Sequence, residues 1–406
     1  MKRHLIYIIS LLCLTSCVNY DDVSEATQVK VQLVMPTEFT QGSDLEGHEV
    51  TLSLGSQTTS AITDAQGIAT FQNIVPDVYN VSTSWEITAS QYKTLSGETV
   101  TASACTVAGN LNSQLLSANY ATTPLQLPTQ VSINRDIVIG KIYSAGSKDT
   151  NNRPYRAGKY IELYNQSDKT IDVAGLYIAM VEHDNPQAYT LTNLHADFAD
   201  SVVLAAQVFR IPATTPYPVA PGGTVLLVNS AIDHSGIDSL EHNLLDADFE
   251  AKDAEGNYQN NPATPALENV SSIYSLLSNM NLVQGGPCGI IIFRTDEDVT
   301  SWPLTYAYGK TKGTQWRLIP KRVIIDGVDY LKKKATGVDV STKRLYDDID
   351  AGYTNINAIA GWTGEVVYRR TSKTASDGHK ILMDTNNSSN DFKVSTTIKP
   401  REYDEE

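Results

Sequence analysis

Apolar residues recur at every second position in short runs. Val29, Val31 and Leu33 alternate with Lys30 and Gln32, and Val50, Leu52 and Leu54 alternate with Thr51 and Ser53. Gly, Asp and Asn break the runs, and side chains of an extended backbone point to opposite faces in turn, so the pattern specifies half-buried antiparallel strands. The chain has 406 residues, too many for one ordinary domain, and its 21 Tyr against 7 Phe suit half-exposed strands. The expected fold class is all-β, in two or more domains. With 31 Lys+Arg against 46 Asp+Glu the formal charge is −15. No basic face is available to displace counterions from phosphates, which excludes a nucleic-acid partner.

The first residues read as a targeting signal. Lys2 and Arg3 precede an apolar run from Leu5 to Leu12, the charged-then-apolar order of a secretory signal and too short to span a bilayer. Leu14-Thr15-Ser16-Cys17 resembles the lipobox of bacterial lipoproteins. That resemblance implies cleavage after residue 16, acylation of Cys17 and anchoring in the outer membrane, and two or three acyl chains meet the two-signal requirement for stable attachment. Loss of residues 1–16 removes Lys2 and Arg3, so the charge moves from −15 to −17. Residues 17–28 form an acidic tether. Asp21 and Asp22 resemble the export tags that send Bacteroidetes lipoproteins to the cell surface; a merely solvated tether is the plainer reading. Cys105 and Cys288 remain as thiols, for which an interdomain disulfide and two buried apolar cysteines are the alternatives.

Residues 29–129 carry a specific spacing: Thr63-Asp64-Ala65-Gln66-Gly67-Ile68-Ala69-Thr70-Phe71, then Pro76-Asp77-Val78-Tyr79-Asn80-Val81. Asp64 and Gly67 fit a tight turn needing a side-chain acceptor and a positive φ, and Phe71 enters the core. The segment resembles the carboxypeptidase regulatory-like or Cna B-type sandwiches. Some of those modules carry an isopeptide bond, for which Lys30, Asn80 and Glu86 would be the residues here; an exposed lysine is the simpler reading. Pro124 and Pro128 mark an extended linker that ends near Thr129.

Residues 130–406 form the second expected domain. Ile137–Tyr143 reads as a strand, and Tyr160–Ile178 as a hairpin turning at Asn165–Asp168 and followed by a third strand. Tyr160-Ile161-Glu162-Leu163-Tyr164-Asn165, Pro221-Gly222-Gly223-Thr224 and Thr385–Phe392 resemble the elements of lamin-tail sandwiches. A polar insertion runs from about 230 to 286, in which the spacing of Val270, Ile273, Tyr274, Leu277 and Met280 predicts a helix beginning at Asn269. Gly289–Phe293 and Arg322–Tyr330 read as strands, the second folding back at Asp326-Gly327. Together these resemblances imply two β-sandwich domains of immunoglobulin-like or prealbumin-like type, and the order of lipobox, small sandwich and expanded lamin-tail-like domain is similar to the uncharacterised Bacteroidetes lipoproteins of the DUF4876 family, a resemblance that implies no activity.

Chemistry-bearing motifs are sparse. No Gly-x-Ser-x-Gly elbow and no His-Glu-x-x-His pair occurs, and Gly309-Lys310-Thr311 lacks both the leading glycine and the helix of a phosphate loop. His183, Asp184, His195, Asp197, His234, Asp238, Glu241 and His242 gather near or within the insertion, where solvated loop residues are favoured over a metal site. Asp347, Asp348 and Asp350 suggest calcium, but Tyr353 stands where the loop glycine belongs. Trp302, Tyr306, Tyr308 and Trp316 could present rings to a sugar or a protein, with core packing the favoured reading.

The reading is a non-enzymatic, surface-exposed outer-membrane lipoprotein that uses no cofactor and serves as a binding or accessory module. Three roles are compatible with it. One is docking on a TonB-dependent outer-membrane β-barrel transporter, one is adhesion to a surface glycan or protein through the Trp302–Trp316 region, and one is glycoside or peptide hydrolysis at an unrecognised site.

Overall fold

A computed structural model describes residues 27–55, 57–97, 104–183 and 187–404. The signal, Cys17, Asp21, Asp22 and Asp184 lie outside the described residues. The fold is all-β, with three short α-helices among the described residues. Two compact units are present: Met1–Val100 with Cys105–Val131, and Thr101–Ala104 with Ser132–Glu406.

In the first unit the strands are β1 (Thr27–Val34), β2 (Glu49–Leu54), β3 (Gln57–Ile62), β4 (Ile68–Ile74), β5 (Asp77–Thr88), β6 (Ala104–Leu116), β7 (Leu125–Pro128) and β8 (Gln130–Asn134). They form a sheet of order β4-β1-β7 and a sheet of order β3-β2-β5-β6-β8. Val29, Val31, Leu33, Val50, Leu52, Phe71, Tyr79 and Val81 make the core between them, which is the alternation read from the sequence. The turn before β4 is built as expected. Asp64 Oδ1 accepts from the N–H groups of Gln66 and Ile68, and Gly67 has φ +76°. The segment holding Pro124 and Pro128 is not a linker. It contributes β7, which pairs in parallel with β1 from Val31↔Leu125 to Val34↔Pro128. An edge position accommodates the proline because only one side of β7 carries a ladder. Asn80 is exposed and accepts from Ser113 N–H, and Glu86 is also exposed, so neither is the buried partner an isopeptide bond requires.

The second unit is a sandwich of a six-stranded and a seven-stranded sheet. The first runs Phe249–Glu250, Thr224–Val228, Tyr160–Asn165, Ile137–Tyr143, Val366–Arg369, Phe392–Ser395. The second runs Leu304–Tyr306, Gln315–Pro320, Val202–Arg210, Tyr177–Val181, Ile290–Phe293, Ile324–Val328, with Glu268–Ser272 also paired to Val202–Arg210. Ile139, Ile142, Leu163, Leu227, Ile178, Phe209, Ile290 and Ile292 meet between the sheets. On its other face the seven-stranded sheet is covered by a second cluster that includes Tyr189, Leu194, Trp302, Trp316, Leu345 and Tyr346. Strands covered on both faces read as unbroken apolar runs, which explains Ile290-Ile291-Ile292-Phe293.

Three expectations are corrected. Tyr160–Asn165 makes no hairpin with the following strand. It pairs with Ile137–Tyr143 and Thr224–Val228, while Asn165 ties the chain to Lys169 and Val219 carbonyls as it crosses to the other sheet. No helix begins at Asn269: Glu268–Ser272 is a strand, with Asn269 opposite Phe209. The three- and four-residue spacing there arises because Val270, Ile273 and Tyr274 all pack on the second cluster from a strand and the bend that follows it. Asp326-Gly327 is no turn but the middle of Ile324–Val328, paired with Ile290–Phe293. Gly327 is there for space, since a Cβ would lie 2.6 Å from the Ile349 Cγ2.

Candidate functional site

The residues singled out in the sequence are dispersed or buried. Trp302 and Trp316 are 7% and 4% exposed and belong to the second cluster. Trp302 Nε1 donates to Glu297 at 2.8 Å, and its ring tilts on Phe293 at 5.8 Å. Only Tyr306 and Tyr308 keep ring surface in solvent, and the Tyr308 ring meets Tyr189 edge-on. Burial of the indoles removes the ring platform. Trp316 lies in the strand Gln315–Pro320 and Trp302 directly follows the short turn Val299–Ser301, and both pack in the second cluster.

Of the histidines and acids near the insertion, His183, His195 and Asp197 lie apart, while His234, Glu241 and His242 are buried near one another, the His234 N–H donating to the His242 carbonyl. His195 Nδ1 pairs with Asp200 at 2.8 Å, and Asp197 accepts from the Tyr189 hydroxyl. His183 stacks with Tyr274. His234 is buried, with Nδ1 2.6 Å from the Tyr155 hydroxyl and Nε2 2.8 Å from the Ser230 carbonyl. Glu241 accepts from the Tyr143 hydroxyl at 2.8 Å, and its other oxygen fills the space beside Gly158, where a Cβ would lie 2.0 Å away. His242 packs edge-on to Tyr143 and Tyr160, and burial pushes its imidazole down to about 4. Among the described residues no three His, Cys, Asp or Glu side chains are placed to hold a metal ion. Cys105 and Cys288 are free, buried thiols rather than a disulfide.

The calcium-like acids have structural partners. Asp347 and Asp348 pair with Lys343 and Lys321. Asp350 is buried and accepts from the N–H groups of Asp329, Gly352 and Ser388.

Other buried charges lie outside the residues singled out for chemistry. Lys141 donates to Glu162 at 2.8 Å with both side chains fully buried, and burial lowers the ammonium despite the carboxylate. Lys159 donates to the Leu282 carbonyl at 2.6 Å, and desolvation holds it at about 7. Arg369 is surrounded by Asp326, Asp384 and Asp391. Each of these groups is spent on a ladder, a carbonyl or an ion pair inside the sandwich. Their pairing satisfies buried polar atoms, which would otherwise destabilise the fold by more than a hydrogen bond contributes.

Open surface of a different character lies beside the edge strand Phe392–Ser395. A cleft of roughly 380 Å³ runs between that strand and residues 353–357. Thr354, Asn355, Asn357, Ser388 and Lys393 supply most of its polar wall. At one side the Ser389 hydroxyl accepts from Tyr353 N–H and donates to the Tyr353 carbonyl, which fixes the two walls together. Lys393 pairs with Asp404, and its ammonium sits 5.4 Å from the Tyr368 ring centroid. Carboxylate, imidazole and thiol groups are missing from the lining. A second concavity, of roughly 570 Å³, lies in the first unit around Gln114, Leu115 and Tyr120 and is also lined by neutral side chains.

Residues 220–399 match the family model described as protein of unknown function, DUF4876. The matched segment contains the whole cleft beside Phe392–Ser395, and the second concavity lies outside it. A crystal structure of a DUF4876 family protein from Bacteroides thetaiotaomicron is similar to this chain with a TM-score of 0.55 at 20% identity. The similarity covers 90% of this chain and 94% of that one, and it shows a shared fold. No curated protein matches the sequence. The DUF4876 match therefore carries no activity to this chain, and its cleft has to be judged by its own chemistry. Among the described residues no helix is long and apolar enough to cross a membrane.

Proposed function

We propose that this chain is an outer-membrane lipoprotein, anchored through Cys17, that serves as a non-catalytic binding module. The observation that carries the binding role is the composition of the DUF4876-segment cleft. Its walls offer hydroxyls, side-chain amides and one lysine, and among the described residues that line it there is no carboxylate, imidazole or thiol to activate them. Such walls hold a polar ligand by many neutral hydrogen bonds and leave its bonds intact. Buried acids and histidines elsewhere are engaged within the sandwich, which removes them from contact with any ligand in the cleft.

The anchor rests on the Lys2-Arg3, apolar run and Leu14-Thr15-Ser16-Cys17 order. Its test is metabolic labelling with a fatty acid in cells making the wild-type chain or Cys17→Ala. Label and membrane retention should both disappear in the variant. A Cys17→Ala protein that stays in the outer-membrane fraction would contradict lipid anchoring.

A further inference from the structure

Extended backbone bounds the cleft beside Phe392–Ser395 on both sides. On one wall, Phe392–Ser395 ends the six-stranded sheet and pairs antiparallel with Val366–Arg369. Arg370 N–H donates to the Asp391 carbonyl at 2.8 Å, one step beyond the Arg369↔Phe392 pair. Hydrogen-bonded pairs recur at every second residue of an antiparallel ladder, so Lys393 bonds to Tyr368 and Ser395 to Val366. The N–H and C=O groups of Phe392 and Val394 therefore point away from the sheet, toward the cleft. On the other wall Thr354 is bridged in parallel to Tyr330. Its N–H donates to the Asp329 carbonyl at 2.7 Å, and its carbonyl accepts from Leu331 N–H at 2.8 Å. By alternation the backbone groups of Tyr353 and Asn355 point the other way, again toward the cleft.

Residues 388–389 close one end. The Ser388 carbonyl accepts from Phe392 N–H. The Ser389 hydroxyl accepts from Tyr353 N–H at 3.1 Å and donates to the Tyr353 carbonyl at 3.0 Å. On both walls this turn stands where one residue of an intervening strand would stand. Two residues further along, Val394 and Asn355 have no such stand-in. Among the described residues nothing bonds to the backbone N–H or C=O of either, although both residues are half-buried. Half-buried amides of this kind are stabilised by a partner. Both walls run the same way from the closed end, 392 to 394 and 353 to 355, so one strand between them can be antiparallel to both. The side chains agree with this placement, since Val394 and Ile356 pack toward the core between the sheets.

We propose that the cleft takes an extended peptide segment of another protein, inserted as a strand between Val394 and Asn355. The proposal rests on the reading of this cleft as a ligand site and names the class of its ligand. A peptide backbone offers a donor and an acceptor to each of two facing edges in turn, one residue to Val394 and the next to Asn355. A saccharide presents hydroxyls without that repeat. The segment lacks proline and carries a β-branched residue opposite Val394, where it continues the apolar face. Residues with hydroxyl or amide side chains flank it, beside Lys393 and Asn355.

The probe is fluorescein-Thr-Thr-Val-Thr-Thr-amide, titrated against the full chain in detergent and followed by anisotropy. N-methylation of the central valine removes the donor to one wall, and N-methylation of the two threonines beside it removes donors to the other. Each change should weaken binding about tenfold. Val394→Pro removes the cleft-facing N–H, leaves the bonds of Lys393 and Ser395 to the sheet, and should weaken binding by about the same factor with an unchanged circular dichroism spectrum. Asn355→Pro does the same on the other wall and serves if Val394→Pro does not fold. The proposal is overturned if the peptide does not bind, or if either methylated peptide binds like the parent. It is also overturned if wild type self-associates in light scattering and Val394→Pro abolishes this, because the occupant would then be a second copy. The ligand class and the binding role fail separately. A saccharide recovered from the cleft overturns the peptide class and leaves the binding role standing, whereas cleavage of the bound peptide by the purified chain supports the class and overturns the role.

Discussion

Arg369 holds Asp326 through Nη2, at 3.0 Å and 3.1 Å from the two carboxylate oxygens. Arg369 ends a strand of the six-stranded sheet and Asp326 lies mid-strand in the seven-stranded sheet, so the pair crosses the sandwich. Both side chains are at most 2% exposed, and Asp326 also accepts from Ile139 N–H. Desolvation of such ions offsets much of their attraction, yet removing one partner leaves the other buried and unpaired.

Asp326→Ala should therefore destabilise the second unit by about 3–5 kcal/mol. The paired change Asp326→Leu with Arg369→Met should be less harmful than Asp326→Ala alone. Urea unfolding of the three variants checks the order, and equal losses would show that the pair acts only through packing.

Asp329 and Asp391 are pushed up by burial to about 7 and about 6. Unfolded carboxyls titrate near 4, so between about pH 4 and 7 the native state holds more protons than the unfolded one. Their contribution is complete below the unfolded value and is lost as pH rises through 6 and 7. Urea midpoints should fall from pH 5 to pH 8, with a limiting slope of about 1.4 kcal/mol per pH unit for each group. Asp329→Asn should flatten part of that fall, and an unchanged profile would show that Asp329 does not titrate there.

Trp316→Ala should lower stability by about 3–5 kcal/mol, as expected for emptying a core position. An adhesive surface ring would instead lose binding with stability unchanged. Thermal unfolding beside binding to a glycan array separates the two roles.

In the cleft, Val394→Arg places a long cationic side chain on the wall formed by the edge strand. Ligand binding should fall at least tenfold while the urea midpoint falls less than in Trp316→Ala, because Val394 packs on the core but is only half buried. Titration with any ligand recovered from the wild-type protein provides the readout.

Local signals in the sequence were dependable where one turn or one strand sufficed. The acceptor at Asp64, the positive φ at Gly67, the burial of Phe71 and the strand Ile137–Tyr143 depend on neighbours in sequence, and all are present. Long-range pairing overrode local pattern elsewhere. Asn269 follows Phe209 into a ladder, and Gly327 packs against Ile349, so helix spacing and turn composition misled at both. The cleft could not be read at all, since its walls come from residues 353–357 and 388–394 and consist of ordinary Asn, Ser and Thr. A motif signals reactive groups at fixed spacing, and the residues of this cleft come from two separate segments with no such spacing.

The most direct test of the central claim is photo-crosslinking in intact cells with a benzophenone residue replacing Asn357 in the cleft or, as a control, Leu276, which is 81% exposed. A binding module should yield a discrete adduct from position 357 that is absent from position 276 and lost when Val394→Arg is added. Mass spectrometry of the released ligand should show it chemically unchanged. Identical adducts from both positions, or turnover of the captured ligand by the purified chain, would contradict the account.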